Sequence, residues 1–327
     1  MKKSAKKLLI GSGAAMAAAI GLGAIYHHTS KYFMKLALDR EEPKNTSKEK
    51  GKMMSSGEMS KIMATIMDAA EKLENSELET VEIQSHDNIR LVGHWYCPEN
   101  PKRIIVAMHG WRSSWSQDFG VIAPFWQQND CAVLYAEQRG QGGSGGEYMG
   151  FGLLERYDCL NWIDWVNEKT CHKLPIYLGG ISMGATTVLM TGGLDLPKNV
   201  HGIVADCAFT SPRAIWKHIV ESNFHLPYGL YSSVANELCK KKIQESADYS
   251  TMEALKDCTV PVLFIHGTDD NFVPIEMTYE NYKACHSPKK LFIVPGAEHG
   301  TSYLLDKDGY EQTIKKFWED YDNVEGL

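Results

Sequence analysis

Five residues, Gly180-Ile181-Ser182-Met183-Gly184, constrain this chain more than any others. They follow a short apolar run, Pro175 to Gly179, and precede Ala185 to Met190, which reads as the start of a helix. Strand, sharp turn and helix in that order can hold a serine on a strained corner, with its hydroxyl projecting beyond the end of a sheet. A Cβ at either flanking position would crowd the tightly bent neighbouring backbone, so glycine there meets a steric demand. The N-terminus of the following helix would favour negative charge developing beside Ser182. The same order also describes an ordinary tight connection, so the pentapeptide needs support from the rest of the chain.

A chain of 327 residues, 43% of them hydrophobic, can bury the core of one large α/β domain or two small ones. Its net charge of −7, with no basic block beyond the N-terminus, argues against a nucleic-acid partner. The eight cysteines, Cys97, Cys131, Cys159, Cys171, Cys207, Cys239, Cys258 and Cys285, include no Cys-x-x-Cys pair and no histidine at zinc-ligand spacing. They read as structural thiols, and no metal is expected.

Lys2, Lys3, Lys6 and Lys7 precede an uncharged run from Leu8 to Tyr26, about 19 residues and nearly 30 Å as a helix. Residues 1–27 are therefore expected to be an uncleaved membrane anchor, with the N-terminus inside and the catalytic part outside the cytoplasm. The alternative is a signal segment cleaved near Ala17-Ala18-Ala19, giving a secreted protein. Unpaired thiols pull the other way, toward a reducing compartment. Residues 28–79 are expected to form a polar stalk followed by an amphipathic helix, with Met59, Ile62, Met63, Ile66, Met67 and Leu73 along one packing stripe.

From residue 80 the pattern changes. Val81 to Ile83 and Leu91 to Tyr96, separated by Asp87-Asn88, suggest a hairpin. Apolar strand-like runs then alternate with helical segments: Arg103 to Met108, Cys131 to Glu137, Ile176 to Gly179, Gly202 to Ala205, Val262 to His266 and Leu291 to Val294. Leu153 to Lys169 and Tyr310 to Tyr321 are the clearest helices among them. This alternation predicts an α/β domain over 80–327, with a mostly parallel central sheet and helices on both faces. More than fifty residues separate Ala205 from Val262, far more than a crossover needs, and they include Trp216, Phe224, Tyr228 and Tyr231. Residues 210–245 are expected to form a small helical lid over the site.

A serine hydroxyl needs a base to take its proton, and a histidine base needs a carboxylate to orient it. Two strands downstream of Ser182 end in suitable loops, Gly267-Thr268-Asp269-Asp270 and Pro295-Gly296-Ala297-Glu298-His299. Reactive groups in open α/β sheets collect beyond the carboxyl ends of strands, and position after the last strand singles out His299 among twelve histidines. Together these motifs resemble the α/β-hydrolase-fold serine hydrolases over residues 80–321. His266-Gly267-x-x-Asp270-x-x-Val273-Pro274 is similar to their acid loop, Glu298-His299-Gly300 to their histidine loop, and Arg139-Gly140-Gln141-Gly142-Gly143-Ser144 to their Arg-Gly-His-Gly-x-Ser turn, with Gln141 replacing the histidine. Within that superfamily the layout is most similar to a bacterial group with an N-terminal apolar segment, an Ala205-Asp206-Cys207 strand end and Glu298-His299-Gly300-Thr301-Ser302-Tyr303.

The resemblance implies the α/β-hydrolase fold, with Ser182 as nucleophile, Asp270 as orienting acid and His299 as general base. Asp269 is the adjacent rival to Asp270, but the spacing to Val273-Pro274 favours Asp270. Asp206 is an alternative acid because some members place theirs at that strand end; otherwise it is a buried hydrogen-bonding carboxylate. Backbone N–H groups of Met183 and of Trp111, in the His109-Gly110-Trp111 element, are expected to form the oxyanion hole. His109 itself is expected to brace its loop. These roles imply a hydrolase that needs no cofactor and acts on a small-molecule ester or a peptide. A prolyl- or aminopeptidase, a thioesterase or acyltransferase, and a binding module without activity are the competing readings.

Overall fold

The computed structural model describes residues 24, 26–41 and 57–323. Eight strands form one sheet: β1 Glu79–Gln84, β2 Arg90–Tyr96, β3 Arg103–Met108, β4 Cys131–Glu137, β5 Ile176–Ile181, β6 Val200–Asp206, β7 Val262–Gly267 and β8 Lys289–Val294. Their spatial order is β1-β2-β4-β3-β5-β6-β7-β8. β1 and β2 form the expected hairpin, β2 is antiparallel to β4, and every later pairing is parallel. This is the α/β-hydrolase architecture.

The central strands bury both faces, which explains why they read as continuous apolar runs. In β4, Ala132, Leu134 and Ala136 join a core shared with Trp162, Val166 and Leu178, while Cys131, Val133 and Tyr135 join Phe119, Trp126, Phe317 and Trp318 on the other face. The alternation is the period of two that a pleated strand imposes. Helices Glu155–Thr170 and Met183–Thr191 cover the first face; Trp115–Phe119, Ala123–Gln128 and Lys307–Tyr321 cover the second. The eight cysteines are free thiols, six of them buried.

A third apolar cluster lies outside the two faces of the sheet and roofs its carboxyl edge. The lid supplies most of it. Ser211 caps helix Pro212–His218 by accepting the Ala214 amide, and a wide turn over Ile219–Asn223 leads to helix Ser232–Ile243. The remainder comes from residues 26–41, which do not behave as the expected stalk. Residues 26–38 are helical, and Ser30, Met34 and Leu38 are buried at the i, i+4, i+8 spacing of one helix face. Asp39 bridges to Tyr148, Met149 donates to the Leu38 carbonyl, and Lys242 pairs with Asp39. The charged residues Lys31, Lys35, Arg40 and Glu41 had hidden this face in the composition of the segment.

Among the described residues no helix is long and apolar enough to cross a membrane. The expected anchor, Leu8 to Tyr26, lies almost wholly outside them, as does the rest of the expected stalk over 42–56. Helix Gly57–Glu74 packs beside Trp115–Phe119, where the Gly120 position abuts Ala69 and Ser116 donates to Glu74; of the expected stripe Leu73 is buried, Ile62, Met63 and Ile66 are half-buried, and Met67 is exposed.

Candidate active site

The strand order brings the carboxyl ends of β3, β5, β6, β7 and β8 side by side, so the loops that follow them share one edge. Ser182 stands at the end of β5 with φ 56° and ψ −116°, a region a side chain enters only when its surroundings force it. Those surroundings explain the flanking glycines. A Cβ at Gly184 would lie 1.7 Å from the Met108 carbonyl oxygen, and one at Gly180 would lie 2.3 Å from the Gly184 carbonyl oxygen. The Ser182 amide is tied to the Asp206 carbonyl at 2.9 Å, which fixes the corner against β6.

His299, after β8, places Nε2 2.9 Å from Ser182 Oγ and Nδ1 2.7 Å from Asp270 Oδ2. With a carboxylate on Nδ1, that nitrogen donates, and Nε2 is left to accept the serine proton. Asp270 is held by three further contacts. Its Oδ1 accepts the amides of Phe272 and Val273 at 2.9 and 2.8 Å, and its Oδ2 lies 3.2 Å from His266 Nε2. Burial would raise this carboxyl, but the hydrogen bonds from His266 and His299 outweigh it and hold it well below the usual carboxylate range. Asp269, the rival, turns outward and is exposed, accepting from the Thr268 hydroxyl.

Asp206 is buried on β6 and accepts from the hydroxyls of Ser302 and Tyr310 rather than from His299. Burial pushes its carboxyl up to about 6. It fits the reading of a buried hydrogen-bonding carboxylate. His109 is also buried and stays neutral, because burial lowers its pKa. It donates from Nδ1 to the Gly110 carbonyl at 2.8 Å and accepts the Gln138 amide on Nε2 at 3.1 Å, bracing the loop after β3.

That loop is fastened at nearly every residue. Gly110 N–H donates to Asp118 Oδ2, Arg112 N–H donates to Gln141 Oε1 at 2.5 Å, and Ser113 bonds to Asp118. Between them, the Trp111 N–H has no acceptor among the described residues. Met183 opens its helix, so its amide has no intrahelical partner either. These are the two donors expected for an oxyanion.

Two residues that sequence reasoning left without a role act here. His266 is fully buried; the Val273 carbonyl 2.9 Å from Nε2 requires a proton on that nitrogen, which also faces Asp270, while Nδ1 accepts the Thr278 hydroxyl. Its position four residues before Asp270, inside the acid-loop motif, was the available signal. Gln141 receives the Arg112 amide and thereby couples the turn after β4 to the loop after β3. Arg139 anchors that turn through a buried ion pair to Asp158 and a second pair to the exposed Asp87.

Among the described residues, two groups of side chains have metal-ligand chemistry. Cys207, Asp270 and His299 offer ligand atoms within 4.8 Å of one another, but both nitrogens of His299 are already engaged by Asp270 and Ser182. His86, Asp87 and Asp158 form the second group, whose carboxylates are both paired with Arg139.

Ser182 opens on two spaces. One is an apolar cavity of about 80 Å³, walled by Phe33, Met34, Phe209, Trp216, Val220 and Tyr231 among others, with no charged side chain among the described residues that line it. The other is a cleft of about 350 Å³ lined by Met63, Ile66, Gln117, Asp118 and His299. They meet at Trp111, Ser182 and Phe272.

Comparison with known proteins agrees with this architecture. Residues 99–252 match the hydrolase family described as serine aminopeptidase, S33. The Bacillus subtilis protein YqkD is 25% identical over 313 residues, covering 95% of this chain and 97% of its own length. Schizosaccharomyces pombe protein bem46 is 25% identical over 76% of this chain and 79% of its own. Among solved structures, an esterase of Pyrococcus furiosus superposes with a TM-score of 0.64 at 22% identity, covering 77% of this chain and 94% of that one. An acylaminoacyl peptidase of Pyrococcus horikoshii gives 0.55 at 17% identity, over 78% of this chain and 43% of that one.

Proposed function

Because this chain is an α/β hydrolase, we propose that it is a serine hydrolase that cleaves a carboxylic ester through an acyl-enzyme on Ser182. The observation that carries the reading is the single imidazole of His299 lying between Ser182 Oγ and Asp270 Oδ2, at 2.9 and 2.7 Å. In this mechanism Oγ attacks the ester carbonyl while Nε2 takes its proton, and the carbonyl electron pair moves onto the oxygen facing the Trp111 and Met183 amides. Collapse of the tetrahedral intermediate expels the alkoxide, which receives the proton from Nε2. Water then repeats the sequence on the acyl-enzyme, and Ser182 is released with the acid.

His299 decides which space takes which half of the substrate. It must reach the leaving oxygen and it lines the larger cleft, so the alcohol half occupies that cleft. The acyl half then falls in the apolar cavity under the lid. An aminopeptidase is disfavoured on the same ground, since a free ammonium needs a carboxylate. None lines the apolar cavity, and Asp118 in the cleft already accepts from Gly110 and Ser113. The reading also tethers the chain through Leu8 to Tyr26, with the catalytic part outside the cytoplasm; protease added to intact cells should then degrade it.

Labelling with a fluorophosphonate probe tests the central claim. The wild type should label and hydrolyse p-nitrophenyl esters, and Ser182→Ala should lose both by a factor of at least about 10³. Folded wild type that does not label would overturn it.

A further inference from the structure

Residues 26–41 make contacts that a tether does not need. Phe33 and Met34 form one wall of the apolar cavity at Ser182, facing Trp216 and Val220 of the lid, and the Phe33 ring lies 4.6 Å from that of Phe224. The same segment grips the loop after β3. Trp111 Nε1 donates to the Ala37 carbonyl at 2.9 Å, and the Arg112 guanidinium donates to the carbonyls of Leu36 at 2.9 Å and Asp39 at 2.7 Å. Arg40 in turn donates to the carbonyls of Gly142 and Ser144 in the turn after β4. Both loops that frame the site are therefore bonded to backbone or side chain of one N-terminal segment.

We propose that residues 26–41 form a strap that sets the acyl-chain length this enzyme accepts, with Phe33 and Met34 as the specificity-determining wall and short apolar acyl groups as the substrates. The inference rests on the ester-hydrolase reading of Ser182. Its physical basis is the shape of the cavity. The sheet and lid supply a fixed floor and one side, and the strap closes the other, leaving about 80 Å³. Each methylene that fits gains burial, worth roughly fourfold in affinity, and the first that does not fit must displace packed side chains. Removing the strap wall moves that limit outward; filling it moves the limit inward. Ala37 also lines the cavity, and a larger side chain there takes space without altering its carbonyl.

The test uses the full chain carrying Ser182→Ala, so that p-nitrophenyl esters bind without turning over, and follows quenching of tryptophan fluorescence from acetyl to decanoyl. With the native strap, affinity should rise by roughly fourfold per methylene over the first few carbons and then fall. Phe33→Ala with Met34→Ala should extend the rise by about two or more carbons, and Ala37→Leu should shorten it. Opposite shifts in the two variants cannot come from general unfolding. Identical chain-length profiles in all three proteins would overturn the strap as the determinant. Parallel hydrolysis by the Ser182 forms separates the two claims: the expected binding profiles without hydrolysis in wild type would sink the ester reading and leave the cavity assignment standing.

Discussion

Two imidazoles, one from β7 and one from the loop after β8, hold the carboxylate of Asp270, and only the second lies within hydrogen-bond distance of Ser182. In the proposed mechanism His299 carries the proton, and His266, fully buried and sharing Asp270 Oδ2, would act as a positioning residue. Because the His266 hydrogen bond helps keep Asp270 ionised, its loss must raise the Asp270 pKa and let the carboxyl protonate at a higher pH. His266→Phe should lower kcat by roughly tenfold with KM little changed. His266→Gln, which restores an N–H donor, should return most of the rate. A kcat unmoved by His266→Phe would reduce the residue to packing. The corner at Ser182 shows why some residues could be read without a structure. Gly180 and Gly184 answer steric demands within five residues of chain, so the sequence carries the whole reason. The acid-loop motif favours Asp270 over Asp206, but the structure shows which carboxylate a histidine 29 residues beyond Asp270 comes to face.

Residues 26–41 and the lid are the elements that enclose the apolar cavity at Ser182. Arg112 joins the strap to the loop after β3 and the turn after β4: its φ is 51°, its side chain donates to carbonyls at Leu36 and Asp39, and its amide donates to Gln141. Cutting that side chain releases the strap and the Trp111 amide together. Arg112→Ala should therefore lower kcat by about tenfold or more, consistent with a misplaced oxyanion donor, and expose residues 26–41 to limited proteolysis. Arg112→Lys should not rescue it, since one ammonium cannot reproduce the planar fork that reaches separate carbonyls. Wild-type kcat in Arg112→Ala would show that the junction is decorative. The lid was legible because fifty-odd residues with a run of aromatics exceed any crossover. The strap was not, because its apolar residues are interleaved with charges and its partners, Trp111, Tyr148 and Lys242, lie far along the chain.

Across the whole molecule, the carboxyl edge of the sheet concentrates buried acids, and this links stability to pH. Asp206 joins β6 to Ser302 and to Tyr310 of the last helix, and burial lifts its carboxyl from 3.8 to about 6. The unfolded chain therefore releases this proton first. Between about pH 4 and 6 the unfolded state gains charge that the folded state resists, so this group's contribution falls as pH rises and levels off above about 6. Asp206→Asn should remove that decline, stabilising the protein relative to wild type by up to roughly 3 kcal/mol above pH 6 and by little below pH 4. Urea unfolding across that range measures the difference, and parallel curves for the two proteins would refute it. The amino-acid sequence alone determined the strands, the elbow at Ser182 and the chain order of serine, acid and histidine. Those follow from side-chain period, steric demand at glycine and loop position, all of which act over a few residues. Only the tertiary structure decided that His266 shares Asp270, that Gln141 holds the loop of Trp111, and that residues 26–41 wall the apolar cavity at Ser182 rather than extend away from it. Those outcomes rest on contacts between segments up to about two hundred residues apart, such as Asp39 with Lys242, and no local pattern encodes which distant surface a helix face will meet.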